Sequence, residues 1–486
     1  MKGKVYLVGA GCGSYELLTL KAKEVLSICD CVIYDRLVDD SILQFCNKDA
    51  EFIYLGKDHA NYHLQDTINE TIVKYAKEDK LVVRLKGGDP LVFGRGGEEL
   101  DCLYNDNIPF EIVPGISSSI ASSEYAGIPL TYRDISRSFH VFTAHAMDTI
   151  FDLDFKVISQ LEGTLVFLMG VAKVSSIVDG LISNGRDANT KIAVVENACR
   201  PVQRVITGTL SNILEKVKIN KIKAPATIIV GDVVSFQERF SWYDKLPLIG
   251  KSILITRPED SSNTLSNRLI SLGAKCHILP MISINNKDTK KLDLSKYNVI
   301  LFCSSNGVNS FFNNIDDIRV LGNIKIGAIG KATLNTLKQY RIKADFIPKK
   351  FYVDALIEES INHTTKDDNI LIVTSNLSPV DTDFISKKYS RNFTKYEMYN
   401  TIKIKHNIKD VVSAINKVDY ITFFSPSSVE SFMESINNDT SLLQNKKIVS
   451  IGPITSRKIK ECNLSVYLEA YEYDSEGVIN SLLGDK

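Results

Sequence analysis

The sequence has no excess charge of either sign and no long hydrophobic run. Its 486 residues include 58 Lys and Arg against 58 Asp and Glu, so the formal net charge is zero. Without a basic excess, the composition predicts neither a nucleic-acid partner nor a membrane partner. The start, "MKGKVYLVGAGCG", enters a strand pattern without a signal-peptide core, and no later apolar run approaches the roughly 20 residues that span a bilayer. We therefore expect a cytoplasmic protein.

Cysteine pairs with metal-binding or redox spacing are missing, and tryptophan occurs once. The nine cysteines are scattered, and the closest two, Cys29 and Cys31, have neither spacing. We expect nine free, buried thiols and predict no metal site. The single tryptophan lies in "RFSWYDKLPLIGKS", where the pattern of strands and helices breaks and restarts. We place a domain boundary there, which gives domains 1–247 and 248–486.

Strand and helix patterns alternate along almost the whole chain. "KVYLVGAG", "CVIYD" and "LVVRLKGG" are typical of strands, and "ELLTLKAKEVLSI" and "LQDTINETIVKYAKE" are typical of the helices between them. This alternation predicts an α/β fold with mostly parallel strands. Ligands of such sheets bind beyond the carboxyl ends of the strands, so the loops there are candidate sites.

One loop combines glycine with charge. "LKGGDPLVFGRGGEE", residues 85–99, has five glycines and follows a strand. Glycine lets the backbone approach a ligand closely, and Arg95, between Gly94 and Gly96, has no side-chain neighbours in sequence to cover it. The earlier loop "VYLVGAGCGS" is similar to a dinucleotide-binding fingerprint, but Ser14 stands where that fingerprint requires glycine. A nicotinamide oxidoreductase would depend on this imperfect loop alone.

The second half contains an internal repeat. "ILFCSSNGVNSFF" is echoed by "ITFFSPSSVESFM", and "IKIGAIGKATLNTLKQY" by "KIVSIGPITSRKIKE". Each repeat has a serine-rich turn and a glycine-containing turn after a strand, where hydroxyls and backbone N–H groups can face a ligand. The same serines could instead only cap helices. The repeat predicts two similar α/β lobes.

The motifs of the first half resemble those of S-adenosylmethionine-dependent uroporphyrinogen-III C-methyltransferases. They are "VYLVGAG", "YDRLV", "GK" at 56–57, "GGDPLVFGRGGEE", "VPGISS" and "YAGIPLTYRD", in the family's order and spacing from residue 3 to about 242. The resemblance implies a bilobed tetrapyrrole-methylase fold that methylates uroporphyrinogen III twice, on rings A and B, to give precorrin-2. It also implies a homodimer formed through this half.

The resemblance assigns roles to residues of the first half. Asp35 would accept a proton, Lys57 would donate one, and Arg95 and Glu98 would act on the substrate side. The implied residues around S-adenosylmethionine are Cys12, Gly87, Gly88, Asp89, Val92, Ser117, Ser118, Met169 and Ala198. Cys12, Ser14 and Ala198 stand where the family usually has proline, aspartate and glycine, which puts cofactor affinity rather than activity in question.

The chemistry of the substrate agrees with the abundance of cations near these motifs. Uroporphyrinogen carries many carboxylates, so a site for it needs cationic donors, preferably planar ones. Arg36 and Arg133 are the further candidates for substrate binding. Arg84 also falls in a motif loop, whereas Lys86 and Arg137 are as consistent with solvated surface charges as with ligands.

The second half resembles uroporphyrinogen-III synthase through "ILITRPED", "CSSNGV", "AIGKAT", "FFSPSSV", "SIGPIT" and "YEYDSEGV". The resemblance implies two flavodoxin-like lobes, residues 250–284 with 402–486 and residues 285–401, that close hydroxymethylbilane to uroporphyrinogen III with inversion of the last ring. Because the bilane also closes spontaneously to the unflipped isomer, such an enzyme acts mainly by controlling conformation. Tyr399 would assist loss of the hydroxyl, or else is a packing aromatic. The implied substrate contacts are Arg257, Ser304, Ser305, Asn306, Ser425, Ser427, Ser428, Gly452 and Thr455.

Together the motifs predict a bifunctional enzyme of tetrapyrrole biosynthesis, a methyltransferase followed by a synthase. An alternative keeps the methyltransferase and makes the second half a non-catalytic, bilobed ligand-binding module. Whether the product serves cobalamin or sirohaem synthesis is left open.

Overall fold

The computed structural model describes most of the chain, namely residues 3–56, 64–144, 153–287 and 292–485. The chain divides into two compact units, Met1–Gly250 (unit 1) and Lys251–Lys486 (unit 2). This division falls within the linker around the single tryptophan. Every helix within the described ranges is too short or too polar to cross a membrane.

Unit 1 begins with a parallel sheet. Its strands are β1 (Lys4–Gly9), β2 (Cys31–Tyr34), β3 (Glu51–Tyr54), β4 (Leu81–Lys86) and β5 (Phe110–Val113). The helices that connect them are α1 (Leu20–Ile28), α2 (Leu64–Lys77) and α3 (Gly96–Asn105). The order is β3-β2-β4-β1-β5, and every pair is parallel. Five of the six residues of β1 and of β4 are buried, because strands of a parallel sheet are covered on both faces.

The second lobe of unit 1 does not follow the predicted parallel pattern. Its strands are β6 (Phe139–Thr143), β7 (Thr164–Leu168), β8 (Lys191–Glu196), β9 (Arg204–Thr209) and β10 (Ala226–Val230). Its helices are α4 (Ser118–Tyr125), α5 (Phe155–Ile158), α6 (Val174–Ser183), α7 (Ile213–Ile219) and α8 (Gln237–Phe240). In the order β6-β7-β10-β8-β9, only the pair β6 and β7 is parallel. The expectation of mostly parallel strands is therefore wrong here, since the short connection from β8 to β9 contains no crossover helix and joins antiparallel neighbours.

Unit 2 contains two further five-stranded sheets. The strands are β11 (Ser252–Ile255), β12 (Lys275–Ile278), β13 (Ile282–Asn286), β14 (Val299–Phe302), β15 (Lys325–Ala328), β16 (Asn369–Ser375), β17 (Asn392–Lys403), β18 (Tyr420–Phe423), β19 (Lys447–Ser450) and β20 (Leu468–Glu469). The helices are α9 (Glu259–Ser271), α10 (Ser305–Asn313), α11 (Lys331–Gln339), α12 (Val353–Ile361), α13 (Thr382–Tyr389), α14 (Ile408–Asn416), α15 (Pro426–Ser435), α16 (Pro453–Glu461) and α17 (Ser475–Gly484).

Each sheet of unit 2 forms the centre of one lobe. The orders are β12-β11-β18-β19-β20 and β13-β17-β16-β14-β15, and all pairs are parallel except β13 with β17. Both strands of this antiparallel pair lie wholly in the second sheet, so the predicted lobe limits at 284 and 402 cut through β13 and β17 and are wrong. The chain crosses between lobes just before Ile282 and just after Lys403, because strand pairing holds both strands at one sheet edge.

All nine cysteines are free, as predicted. Five are only partly buried, namely Cys12, Cys102, Cys276, Cys303 and Cys462. The expectation of complete burial is wrong for these five, which lie in a loop, on an edge strand, on a helix or just after an element, where neighbouring side chains cover them incompletely.

Candidate active sites

Three loops meet beyond the carboxyl ends of β1, β4 and β5. Gly88 N donates to Gly11 O over 2.7 Å, and Gly11 N donates to Gly88 O over 3.2 Å. Asp89 connects the third loop, since Asp89 Oδ2 accepts a hydrogen bond from Gly115 N at 3.1 Å and Oδ1 accepts one from Leu91 N at 2.9 Å. Asp89 therefore shapes the turn with both carboxylate oxygens.

Glycine is required where these loops touch. A Cβ on Gly115 would lie 2.2 Å from Gly88 O and 2.7 Å from Gly9 Cα, so side chains are sterically excluded there. Gly88 has a positive φ of +72°, and a Cβ added to it would meet only atoms of Ser117 and Ser118 at 3.9 Å. The missing side chain of Gly88 thus leaves open space above the backbone, which a ligand can enter.

The second lobe contributes the loop that follows β8. Cys12 Sγ lies 3.8 Å from Ala198 O, and a Cβ on Gly13 would lie 2.8 Å from that same oxygen. Arg200 Nη2 donates to Leu37 O over 3.2 Å, in the "YDRLV" loop. The structure therefore brings the predicted residues Cys12 and Ala198 together, where the loop after β1 contacts the loop after β8 in the second lobe of unit 1.

Other predicted cofactor residues lie on separate elements of unit 1. Ser117 is a helix cap, because its buried hydroxyl accepts a hydrogen bond from Ser119 N at 3.3 Å at the start of α4. Val92 precedes α3 and is 39% exposed, whereas Met169 follows β7 with a φ of +55° and is 50% exposed. Val92 and Met169 therefore present apolar surface to solvent or to a ligand.

Asp35 belongs to a buried group of charged side chains. Arg84 Nη2 lies 3.3 Å from Asp35 Oδ2, and Arg84 Nε lies 3.1 Å from Glu99 Oε1. Lys86 Nζ approaches the same Glu99 oxygen at 2.7 Å. Arg84, Lys86 and Glu99 are at most 4% exposed. Burial lowers the pKa of the Lys86 ammonium, and the nearby Arg84 cation lowers that pKa further. We call these four residues the Asp35 cluster.

The sequence did not predict the Asp35 cluster, and of the two alternatives left open for Lys86, the solvated surface charge is wrong because Lys86 is buried. Arg84 and Lys86 are two residues apart on β4, so they share one face of the strand. That face is buried, and Glu99 in the first turn of α3 supplies the negative charge. Two cations in an otherwise apolar strand of a parallel sheet were the available signal, because buried charges require partners.

Arg95 and Glu98 form a bidentate ion pair at the surface. Arg95 Nε donates to Glu98 Oε1 over 2.7 Å, and Nη2 donates to Oε2 over 2.6 Å. Their side chains are 39% and 51% exposed. The hydrogen bonds from Arg95 lower the pKa of the Glu98 carboxyl. A ligand carboxylate at Arg95 would have to share the guanidinium with Glu98 or displace it.

The remaining predicted cations are at the surface or outside the described residues. Arg36 and Arg133 are exposed. Arg137 is 88% exposed and only 3.9 Å from Asp134, which matches its interpretation as a solvated charge. Lys57 lies outside the residues that the structure describes.

In unit 2, Tyr399 is buried on β17 and faces a helix cap. Tyr399 Oη lies 2.8 Å from Ser304 Oγ, and that same serine oxygen accepts a hydrogen bond from Gly307 N at 3.0 Å at the start of α10. Burial raises the pKa of the Tyr399 phenol. Tyr399 is therefore a protonated hydroxyl held beside the N-terminus of α10.

The serine-rich turn of the other lobe repeats the cap. Ser425 Oγ accepts a hydrogen bond from Ser428 N at 3.1 Å, and Ser428 Oγ accepts one from Ser425 N at 3.3 Å. Ser427 Oγ lies 3.0 Å from Ser425 Oγ. The predicted residues Ser305 and Asn306 lie in the first turn of α10, at the corresponding place in the repeat.

The glycine-containing turns repeat as well. A Cβ on Gly330 would lie 3.1 Å from the Phe351 side chain, and one on Gly452 would lie 2.8 Å from the Tyr473 ring. Gly452 caps α16, and Thr455 is buried on that helix. The internal repeat thus extends to the aromatic residue that covers each turn.

Arg257 follows β11 and is largely enclosed. Its Nη1 lies 2.5 Å from Ser475 Oγ, and its guanidinium lies 4.8 Å from the centre of the Phe424 ring. Burial lowers the pKa of Arg257. Neither of these two neighbours carries a negative charge, and a guanidinium is suited to binding a carboxylate.

Two family models match the chain. The model of tetrapyrrole (corrin/porphyrin) methylases matches residues 4–214, and that of uroporphyrinogen-III synthase HemD matches residues 263–480. A Ruminiclostridium josui protein named porphyrin biosynthesis protein HemD is 38% identical in an alignment of 495 positions, which covers 99% of this chain and 98% of that protein.

Some other relatives match about half of this chain. The siroheme synthase of Psychrobacter arcticus is 46% identical over 243 residues, 50% of this chain and 44% of that protein, so the chain spans about half the length of the siroheme synthases it matches. The crystal structure of uroporphyrin III C-methyl transferase from Thermus thermophilus covers 48% of this chain and 99% of its own, with 38% identity and a TM-score of 0.43.

Proposed function

Because the chain belongs to the HemD family of porphyrin biosynthesis proteins and joins a tetrapyrrole methylase to a uroporphyrinogen-III synthase, we propose that it makes uroporphyrinogen III and then methylates it. Unit 2 closes hydroxymethylbilane with inversion of ring D. Unit 1 methylates the product twice with S-adenosylmethionine to give precorrin-2. The observation that carries the methylation step is that the loop after β1 contacts both the Gly88 turn and the Ala198 loop.

The residues at the Gly88 turn fit S-adenosylmethionine. The space beside Gly88 admits a ligand against bare backbone, and the exposed apolar side chains of Val92 and Met169 suit an adenine ring or a methyl group. S-adenosylmethionine bound there would supply an activated methyl group. Cys12 and Ala198, which are in contact, stand where the family usually has proline and glycine. Neither difference removes a charged group, so we expect both to alter the affinity for S-adenosylmethionine more than the turnover.

The charged residues of unit 1 would accept a proton from the substrate and bind its carboxylates. Asp35 would accept the proton that the substrate carbon loses after methylation, since the alkylated ring must return to neutrality. Arg95 would bind a substrate carboxylate with its planar guanidinium, and Glu98 holds that guanidinium in place. Arg36 and Arg133 would add cationic contacts from exposed positions. The proton-donor role of Lys57 follows from the family resemblance.

Unit 2 would act by holding the bilane in the folded conformation. The hydroxyls of Ser304, Ser425 and Ser427 lie at the N-termini of α10 and α15, beside backbone N–H groups that bind anionic or polar groups. Arg257 would bind a carboxylate of the substrate. Tyr399 would donate its hydroxyl proton to the departing hydroxyl, a role consistent with a phenol whose pKa burial raises.

We also propose a cytoplasmic protein that forms a homodimer through unit 1. Nine free thiols are typical of proteins in a reducing compartment. Phe52 and Tyr54 are 45% and 55% exposed on β3, an edge strand of the first sheet, and apolar side chains on an open edge favour association. Light scattering of the native chain and of Phe52→Glu tests this, and a monomeric native chain would contradict it.

The function is tested by supplying hydroxymethylbilane to the full chain with and without S-adenosylmethionine. We expect uroporphyrinogen III without the cofactor and precorrin-2 with it, against a protein-free control that yields isomer I. Isomer I alone would remove the synthase assignment, in favour of a ligand-binding module. Unmethylated uroporphyrinogen III in the presence of S-adenosylmethionine would remove the methyltransferase assignment.

A further inference from the structure

The Asp35 cluster holds its members from several sides. Arg84 Nη1 donates to Leu85 O at 3.0 Å and to Ile33 O at 3.4 Å, while its other nitrogens contact Glu99 and Asp35. The guanidinium is thus fixed between two strand carbonyls and two carboxylates. A planar group with this many directed contacts can take up only one orientation.

Asp35 is correspondingly fixed at both carboxylate oxygens. Asp35 Oδ1 accepts a hydrogen bond from Leu37 N at 3.0 Å, and Oδ2 faces Arg84 Nη2 at 3.3 Å. Its side chain is 27% exposed whereas that of Arg84 is 3% exposed. Asp35 is therefore the one accessible member of a buried cluster.

Glu99 balances the charge of the two cations. Its Oε1 serves both Arg84 and Lys86, and Oε2 is buried without a hydrogen-bond partner among the described residues. The cations therefore determine how this carboxylate is oriented. With Glu99 ionised, two positive and two negative groups cancel, whereas removal of its charge would leave two cations facing Asp35 in a medium of low dielectric constant.

We propose that Arg84 and Glu99 are positioning residues for Asp35. Arg84 orients the Asp35 carboxylate toward the substrate, and Glu99 holds Arg84 while offsetting the charge of Arg84 and Lys86. This inference rests on the proposed role of Asp35 as proton acceptor.

The Arg84 and Glu99 charges act in opposite directions on the pH dependence of kcat. Removing one charge should shift the acid limb of the pH profile one way, and removing the other should shift it the other way. The charged groups that face Asp35 are Arg84 and Lys86 from β4 and Glu99 from α3, with Arg36 beside it on its own loop and Arg200 bonded to the neighbouring Leu37 carbonyl. Glu99→Gln leaves the cations in excess around the remaining carboxylate, which should move the limb to lower pH. Arg84→Met removes the nearest cation and moves the limb to higher pH, each by about one unit.

The experiment measures methylation of uroporphyrinogen III by the full chain carrying Glu99→Gln, Arg84→Met, both, or Asp35→Asn. For Glu99→Gln and Arg84→Met we expect kcat to fall about tenfold, equivalent to ~1.4 kcal/mol of barrier. KM for uroporphyrinogen III and the calorimetric affinity for S-adenosylmethionine should stay close to native. A merely structural role would not produce opposite shifts of the pH profile.

A matched control uses the exposed pair Lys77 and Asp106, which joins α2 to the C-terminus of α3 at 2.5 Å. Lys77→Met with Asp106→Asn removes an ion pair from the same helices and should leave kcat and the pH profile unchanged. If Glu99→Gln does not fold, the double variant Arg84→Met, Glu99→Gln carries the test, because its buried charges balance. Its acid limb should lie at lower pH than that of Arg84→Met, because the Glu99 charge is also gone.

The outcomes separate the positioning role from the function on which it rests. If Asp35→Asn turns over like the native enzyme, Asp35 is not the base and both ideas fail. If Asp35→Asn is slow but Glu99→Gln and Arg84→Met keep the native kcat and acid limb, the positioning role alone is overturned. Ring closure by unit 2 of the same chains should remain native throughout.

Discussion

The hydroxyl groups of Tyr399 and Ser304 lie 2.8 Å apart, on β17 and at the start of α10. Ser304 also caps α10 through Gly307 N. Ser304 thus contacts the Tyr399 hydroxyl and caps α10 with the same oxygen. Replacing Ser304 would disturb Tyr399 as well, so variants at 304 cannot separate assistance to the leaving group from control of substrate conformation. Ser427, bonded to Ser425 in the other lobe, permits that separation.

Tyr399→Phe should slow closure of hydroxymethylbilane while uroporphyrinogen III remains the main product. The variant loses a hydroxyl that would assist departure of the leaving group but keeps the ring that packs in the lobe core. Rate and isomer ratio after a single turnover measure the two effects. A shift to isomer I would instead show that Tyr399 is one of the groups that hold the bilane in its folded conformation, which we call the clamp.

Ser427→Ala should give the reverse pattern, a raised share of isomer I at a similar rate of substrate loss. Loss of one hydroxyl loosens the folded conformer and lets spontaneous closure compete. Ser435→Ala is the control, because its buried hydroxyl donates to its own helix, to Ser431 O at 2.8 Å. If Ser427→Ala and the Ser435→Ala control both give the native isomer ratio, Ser427 is not part of the clamp.

Arg95→Ala should abolish methylation and leave ring closure intact. A paired carboxylate contact that is buried on binding contributes about 2–5 kcal/mol, and Arg95 is exposed in the free protein, so little folding energy depends on it. Product analysis by chromatography, with isomer III as the internal readout of unit 2, measures this. Normal methyl transfer by the variant would rule out Arg95 as a substrate ligand. Arg137→Ala, an exposed arginine with one distant partner, is the control and should methylate normally.

Asp89→Ala should weaken binding of S-adenosylmethionine. The Asp89 carboxylate bonds Gly115 N and Leu91 N, so its loss releases two backbone donors and reshapes the turn that carries Gly88. Asp89→Asn, whose amide oxygen can keep one of these bonds, should weaken binding less. Titration calorimetry gives both affinities, and unchanged affinity in Asp89→Ala would remove Asp89 from the cofactor site.

Asp485→Asn should destabilise unit 2 near neutral pH and have less effect in acid. Hydrogen bonds from Tyr420, then Tyr467 and Lys447, lower the pKa of Asp485 from its usual 3.8 to about 2. A carboxyl whose pKa is depressed in the folded state contributes stability above its unfolded pKa and loses it as pH falls through the folded pKa. The stabilisation should therefore be complete at pH 6 and decline between about pH 4 and pH 2.

The measurement is the urea midpoint of the native chain and of Asp485→Asn at pH 6 and pH 3. We expect the difference between the two proteins to shrink at the lower pH. Asp367→Asn, at an exposed position in a loop, is the control. An equal difference at both pH values would show that the Asp485 hydrogen bonds do not depend on its charge.

Local chemistry allowed much of the fold to be predicted from sequence. Turns that demand glycine, such as the one at Gly88 with its positive φ, and serines that cap helices, such as Ser304 and Ser425, depend on residues within a few positions. The repeat in unit 2 could be recognised for the same reason. Each copy carries its own turn, cap and helix in order.

Pairings between distant segments were decided only by the tertiary structure. Arg84 meets Glu99 and Asp35, which are 15 and 49 positions away, and Tyr399 meets Ser304 across 95 positions. The antiparallel order of β7, β10 and β8 likewise depends on which strands become neighbours. Local propensity places a residue on a strand or helix, but the burial of charge and the choice of partner follow from how those elements pack. A sequence pattern alone does not specify that packing.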